Sequence, residues 1–128
     1  MKNGAIQRKS FRFAIRVVKL FQHLSTEKRE FVLSKELLRS GTAIGALVRE
    51  AEQGESRPDF VHKLAIALKE AHEAEYWLEL LKETRVHRRA GFNSIHRDLR
   101  ELLRLLTSII NSTKRNPPNA NRRNVRTP

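Results

Sequence analysis

The sequence predicts an all-α chain folded as an antiparallel up-down-up-down four-helix bundle, and three observations carry that reading. Apolar residues recur in steps of three and four along most of the chain. No stretch combines strict alternation with the β-branched enrichment of a half-buried strand. Three of the four prolines lie after residue 115, which leaves long segments free to be helical. At 128 residues the chain makes one domain, large enough for a core without staples.

The first helix is expected over residues 10–24, where Phe13, Val17, Leu20 and Leu24 share a face and Ser10 is placed to cap. Residues 1–9 are expected to form a flexible basic arm. The second helix spans 30–53, with Leu33, Leu37, Gly41, Ile44, Val48 and Ala51 in one stripe and Gly54 just past its end. The third, 57–84, holds the cleanest pattern: Phe60, Leu64, Ala67, Ala71, Ala74, Leu78 and Leu81. It opens on Ser56 as cap, with Pro58 in the first turn and Asp59 favourable to the helix dipole. The fourth, 91–114, carries Phe92, Ile95, Leu99, Leu102, Leu106 and Ile109, flanked by Leu103 and Ile110. The bundle thus covers 10–115. From Asn116 onward Pro, Asn and Arg dominate, and residues 116–128 are expected to be a disordered basic tail. Short connections make successive helices antiparallel neighbours, which brings the first and fourth together.

Charge is the strongest compositional signal. The chain has 26 Lys+Arg against 14 Asp+Glu, a net +12. By segment the balance is +7 over residues 1–29, −2 over 30–55, −2 over 56–84, +4 over 85–113 and +5 over 114–128. The two basic ends meet if the first and fourth helices are adjacent. Arg97, Arg100 and Arg104 fall within about 60° of one another at ~100° per residue, opposite the Leu/Ile stripe. Arg12, Arg16 and Lys19 do the same on the first helix, and Lys114, Arg115, Arg122 and Arg123 extend the run. A solvated polar face is the plain reading of any one of these. Uncompensated and gathered on adjacent helices, they suit the phosphate backbone of RNA or DNA.

Several chemistries are excluded or disfavoured. Without cysteine there is no disulfide or thiolate metal centre. The longest apolar run, Ala43–Val48, is far short of the ~20 residues that cross a bilayer, and no signal-peptide core follows Met1, so the expected address is cytoplasmic with no membrane partner. There is no Glu-x-x-His for a di-metal bundle, and His23, His62, His72, His87 and His96 are scattered. Neither catalytic residues, a metal nor a cofactor is expected, and the chain is read as a non-enzyme. Glu70, Glu73, Glu75 and Glu79 are expected to pair with Arg39, Arg49 or lysines.

Two helices are more apolar than one core needs. Phe11, Ile15 and Val18 lie off the first helix's stripe; Ile66, Tyr76, Trp77 and Leu80 lie off the third's. A wide core with partly buried flanks would explain this. So would a subunit interface, the expectation adopted for Phe11, Ile15, Ile66, Tyr76, Trp77 and Leu80. Gly41 and Gly45, four apart inside a helix, each cost about 1 kcal/mol relative to alanine and are read as points of close helix approach. No Lys-Ser/Thr follows them and no strand precedes, so they do not form a phosphate loop.

The string from Leu37 through Gly41-Thr42-Ala43-Ile44-Gly45 to Ala51, with the run Phe60–Ala71 and its continuation Tyr76-Trp77-Leu78, resembles a known signature. It is that of the four-helix-bundle proteins of 23S rRNA intervening sequences, the former S23 ribosomal protein family. These are similar to the accessory variability determinant proteins of diversity-generating retroelements. The likeness covers roughly residues 10–114. Where the family usually reads Ser-Ile-Gly-Ala-Asn, this chain carries Ala43 and Leu47, without the hydroxyl and the amide. The resemblance implies a bacterial bundle that assembles as a barrel-like homopentamer and binds nucleic acid through a positive surface. In the retroelement branch it implies a reverse transcriptase as partner. The expected function is therefore a non-enzymatic, homo-oligomeric accessory protein that binds nucleic acid, RNA favoured, through its first and fourth helices. The alternative is a protein-interaction scaffold that docks an acidic partner.

Overall fold

A computed structural model describes residues 4–84, 86 and 88–115. Four α-helices follow one another: α1 (Ala5–Glu27), α2 (Leu33–Glu52), α3 (Arg57–Glu83) and α4 (Arg89–Arg115), with no strand among the described residues. Successive helices pack as neighbours and α4 returns to α1, closing an antiparallel four-helix bundle. The core is one cluster drawn from all four helices, with Phe13, Leu37, Ile44, Leu64, Leu78 and Leu102 among its fully buried members.

The helix ends differ from the expected ones, most at α1. That helix starts at Ala5, so residues 5–9 are helical, and Ile6 is buried in the core. Ser10 is no cap: it sits buried inside α1, where its hydroxyl donates to the Gln7 carbonyl at 3.2 Å. The stripe does step back from Phe13 to Ser10 to Ile6, but a serine stands at the middle position. Beyond Glu27, Arg29 adopts a left-handed φ of 53° and turns the chain, so that the Glu30 amide donates back to the Leu24 carbonyl at 3.0 Å. Glu30 then caps the start of α2. Its carboxylate accepts from the amides of Val32, Leu33 and Ser34 at 2.7–3.0 Å, which satisfies donors that the first turn leaves open. Partial burial pushes the Glu30 carboxyl up, but the Leu33 and Ser34 hydrogen bonds outweigh it and hold the group below its ordinary value.

α3 opens as its sequence predicts, with Ser56 accepting from the Asp59 amide at 3.2 Å. At the far end of α4, Ile110 is buried and Ile109 only partly so, the reverse of the expectation. Alternating steps of three and four average 3.5 residues, whereas an α-helix turns every 3.6; the drift of ~20° per heptad has moved the core face on by one residue. The expected tail, 116–128, lies outside the described residues, as do Arg122 and Arg123.

Gly41 and Gly45, both inside α2, serve different ends. A Cβ on Gly41 would stand 2.9 Å from Cγ2 of the fully buried Val17, so α1 and α2 approach closely there. A Cβ on Gly45 would meet the Ser10 carbonyl at 3.4 Å, an ordinary contact.

Candidate nucleic-acid interface

α1 and α4 make the least extensive of the four neighbour contacts in the bundle, and polar clamps close it. Arg16 reaches from α1 to Asp98, its guanidinium 2.6 Å from the carboxylate. It also donates to the Ser94 hydroxyl at 2.9 Å and the Ser94 carbonyl at 3.4 Å. One turn from Asp98, Lys9 pairs with Glu101 at 3.2 Å. Between them lies a small cleft of about 70 Å³ lined by Lys9, Arg12, Phe13, Asp98 and Glu101.

These pairs correct one expectation. Arg16 belongs to the bundle's own seam, because its donors are spent on α4 rather than presented to a ligand. They also leave the rest of the face more positive than a net count suggests. Asp98 and Glu101 are the two carboxylates of residues 85–113, and both are turned to α1. Arg97, Arg100 and Arg104 stand exposed on the opposite side of α4 from its core stripe, with no acidic partner among the described residues. Arg12 and Lys19 are exposed on α1, and Lys114 and Arg115 at the end of α4. The seam is thus a neutralised valley between two basic ridges.

The middle of the chain behaves oppositely. Arg39 of α2 binds Glu70 at 3.2 Å and Glu73 of α3, and Glu73 also accepts from the Trp77 indole N–H at 3.2 Å. The Arg39 guanidinium, helped by Trp77, holds the Glu73 carboxyl below its ordinary value. Lys63 pairs with Glu50 at 3.1 Å. Arg49 takes no carboxylate among the described residues; its guanidinium lies 5.1 Å over the Phe11 ring. Glu75 turns instead to His96 of α4, with 2.7 Å between oxygen and Nε2, and Glu79 lies beside them. This grouping of α3 and α4 residues escaped the sequence reading, since the partners are 21 positions apart and no local spacing signals them.

The surplus apolar residues divide between opposite sides of the bundle. Phe11, Ile15 and Val18 are exposed on α1, and Tyr76 is 56% exposed on α3. Ile66 and Leu80 are half-buried. Trp77 packs against the core of its own bundle and meets Tyr76 edge-to-face at 5.1 Å. No helix among the described residues is long and apolar enough to cross a membrane.

A family model described as 23S rRNA-intervening sequence protein matches residues 2–108. No curated protein matches significantly. Among solved structures, a protein of unknown function from the S23 ribosomal protein family of Bacteroides thetaiotaomicron VPI-5482 superposes with a TM-score of 0.82. It is 55% identical, over 83% of this chain and 98% of that one.

Proposed function

The chain belongs to the 23S rRNA-intervening sequence protein family, and from that premise we propose that it is a non-enzymatic nucleic-acid-binding accessory protein, RNA being the favoured ligand. The observation that supports this most is the row Arg97, Arg100 and Arg104, exposed and without acidic partners, beside Arg12 and Lys19 across the ion-paired seam. Arginines in such a row contact phosphates on a strand laid along the bundle, and little aromatic surface is interleaved to read bases. Binding is then sequence-tolerant and strongly dependent on salt. Lys114, Arg115, Arg122 and Arg123 would extend the contact.

The same proposal includes self-association. Phe11 and Ile15 on α1, and Ile66, Tyr76 and Leu80 on α3, occupy faces of diagonal helices, so one copy's α1 face can meet another's α3 face. A head-to-tail contact of that kind closes into a ring when the rotation permits, and the family resemblance implies five copies in the cytoplasm. In the retroelement branch a reverse transcriptase would be the enzyme such a ring serves. Exposed Phe11 and Ile15 beside Arg12 also favour a second reading, a scaffold that docks an acidic protein through this patch.

Replacing Arg97, Arg100 and Arg104 by Glu tests the first reading. Most RNA and DNA binding should vanish while the melt stays close to the parent's, because all three lie off the core. Each lost phosphate contact should flatten the slope of log K against log salt by about 0.7–0.9. Unchanged affinity in the triple variant would move the site elsewhere, and a parent without salt-sensitive binding would favour the scaffold. Light scattering that finds a monomer at micromolar concentration would remove the ring.

A further inference from the structure

We propose that Glu75 and Glu79 of α3, with His96 of α4, bind one first-row divalent metal ion of the zinc class and so link the two helices. The donor atoms of these residues all lie within 4.8 Å of one another. Glu75 and Glu79 are four apart, one turn of the same helix face, and His96 comes to them across the helix pair.

Two independent features set this group apart from ordinary surface carboxylates. First, neither Glu75 nor Glu79 has a Lys or Arg ion-pair partner among the described side chains, which exclude those of Arg85 and Arg89, in a chain of net charge +12. Glu70 and Glu73, on the other flank of α3, are both taken by Arg39. The nearby ammonium of Lys82 lies 4.5 Å over the Phe92 ring and 3.5 Å from Glu83, not on the pair. Second, the imidazole is held in place. Its ring stacks on buried Phe92, with centroids 4.7 Å apart and planes at 22°, and Nε2 points at the Glu75 carboxylate. A positioned ring nitrogen facing two carboxylates spares much of the ordering cost of ion binding.

The donor set selects the ion. One imidazole nitrogen and two carboxylate oxygens suit zinc and its neighbours, whereas magnesium and calcium call for oxygen alone. Bonds of ~2.0–2.1 Å place tetrahedral ligands about 3.3 Å apart, so the widest donor separation, at most 4.8 Å, must close by up to about 1.5 Å while the 2.7 Å Glu75–His96 hydrogen bond opens by about 0.6 Å to admit the ion. Glu79 is exposed and can supply that movement by a change of rotamer. Three protein ligands leave a fourth position for water.

The test is calorimetric titration of the chelator-stripped full chain with zinc chloride, and separately with magnesium chloride. One zinc per chain, a melting temperature raised by zinc and unmoved by magnesium, and about tenfold or greater loss of zinc affinity in Glu79→Gln are expected. His96→Ala should lose as much. Because His96→Ala also loosens the α3–α4 contact, Glu79→Gln, at an exposed position, decides the matter on a fold whose metal-free melt is the parent's. Absence of saturable zinc binding in the parent would overturn the site. So would parental affinity in Glu79→Gln, which would assign the zinc to the exposed histidines His23, His62 or His72.

Discussion

The seam between α2 and α3 and the seam between α1 and α4 solve the same packing problem with different residues. α2 and α3 make the most extensive contact of the bundle, and the middle of the buried face of α3 is alanine: Ala67, Ala71 and Ala74 are all fully buried between Leu64 and Leu78. Small side chains let two backbones come close, and each further buried methylene on such a face has nowhere to go. Arg39 and Lys63 lie outside that apolar contact as ion-pair trim. α1 and α4 stand further from each other's cores, and Arg16–Asp98 and Lys9–Glu101 span the gap. The difference teaches where a helix bundle can afford to be functional. The close seam has no side chain to spare, while beside the polar seam Arg12, Lys19, Arg97, Arg100 and Arg104 stay exposed.

The harshest way to break this comparison is to add volume to the close seam. Ala74 lies between Glu70 and Trp77, four and three residues away on the flank that meets α2. Ala74→Leu should lower stability by about 1–3 kcal/mol through overpacking, read as a lower melting temperature. A neutral Ala74→Leu would show that the alanine face has slack. Acid offers a gentler probe. Glu30 and Glu73, both bound to groups of the α2–α3 half, have folded values below the ordinary carboxylate range. Their contribution is present above the unfolded value of about 4.3 and is lost as pH falls through the lower folded values. Glu30→Gln should therefore cost about 1 kcal/mol near neutral pH, as caps do, and progressively less in acid. Melts at about pH 7 and about pH 3 check this.

At the polar seam the expected stability change is smaller and the change in binding more telling. Asp98→Asn should cost about 0.2–1 kcal/mol, since both partners are more than a third exposed. It also removes one of the two carboxylates between the ridges. RNA affinity should rise, with a salt slope steeper by about 0.7–0.9 if freed Arg16 takes a phosphate; weaker binding would show that the clamp orders the ridges. Smallest of all, Arg29→Gly relieves a left-handed residue in the turn and should gain a few tenths of a kcal/mol. A loss would mean that the Arg29 side chain contributes to the turn.

The architecture was legible because periodicity alone marks four amphipathic segments, and short breaks between them leave few ways to pack. What escaped has identifiable causes. The first turns of α1 were hidden by Ser10, a polar residue at a core position that satisfies itself on the Gln7 carbonyl. The Ile109–Ile110 exchange came from the drift between 3.5 and 3.6, invisible over one heptad and decisive over three. In the candidate interface, the outward placement of Arg97, Arg100 and Arg104 follows from the helical wheel. The spending of Arg16 on Asp98 does not, because their contact spans 82 positions.

That long span has a kinetic consequence. The α1–α2, α2–α3 and α3–α4 contacts each join neighbours in the chain, whereas α1 meets α4 only after every intervening residue is gathered in, as the Arg16–Ser94 bond across 78 positions records. Entropy of loop closure grows with the length enclosed, so the three hairpin contacts can form quickly and the α1–α4 seam is the closing event. Charged side chains that find each other late cost little in the transition state and act mainly on how fast the closed bundle reopens. Arg16→Met should thus raise the unfolding rate with little change in the folding rate, as a chevron would record.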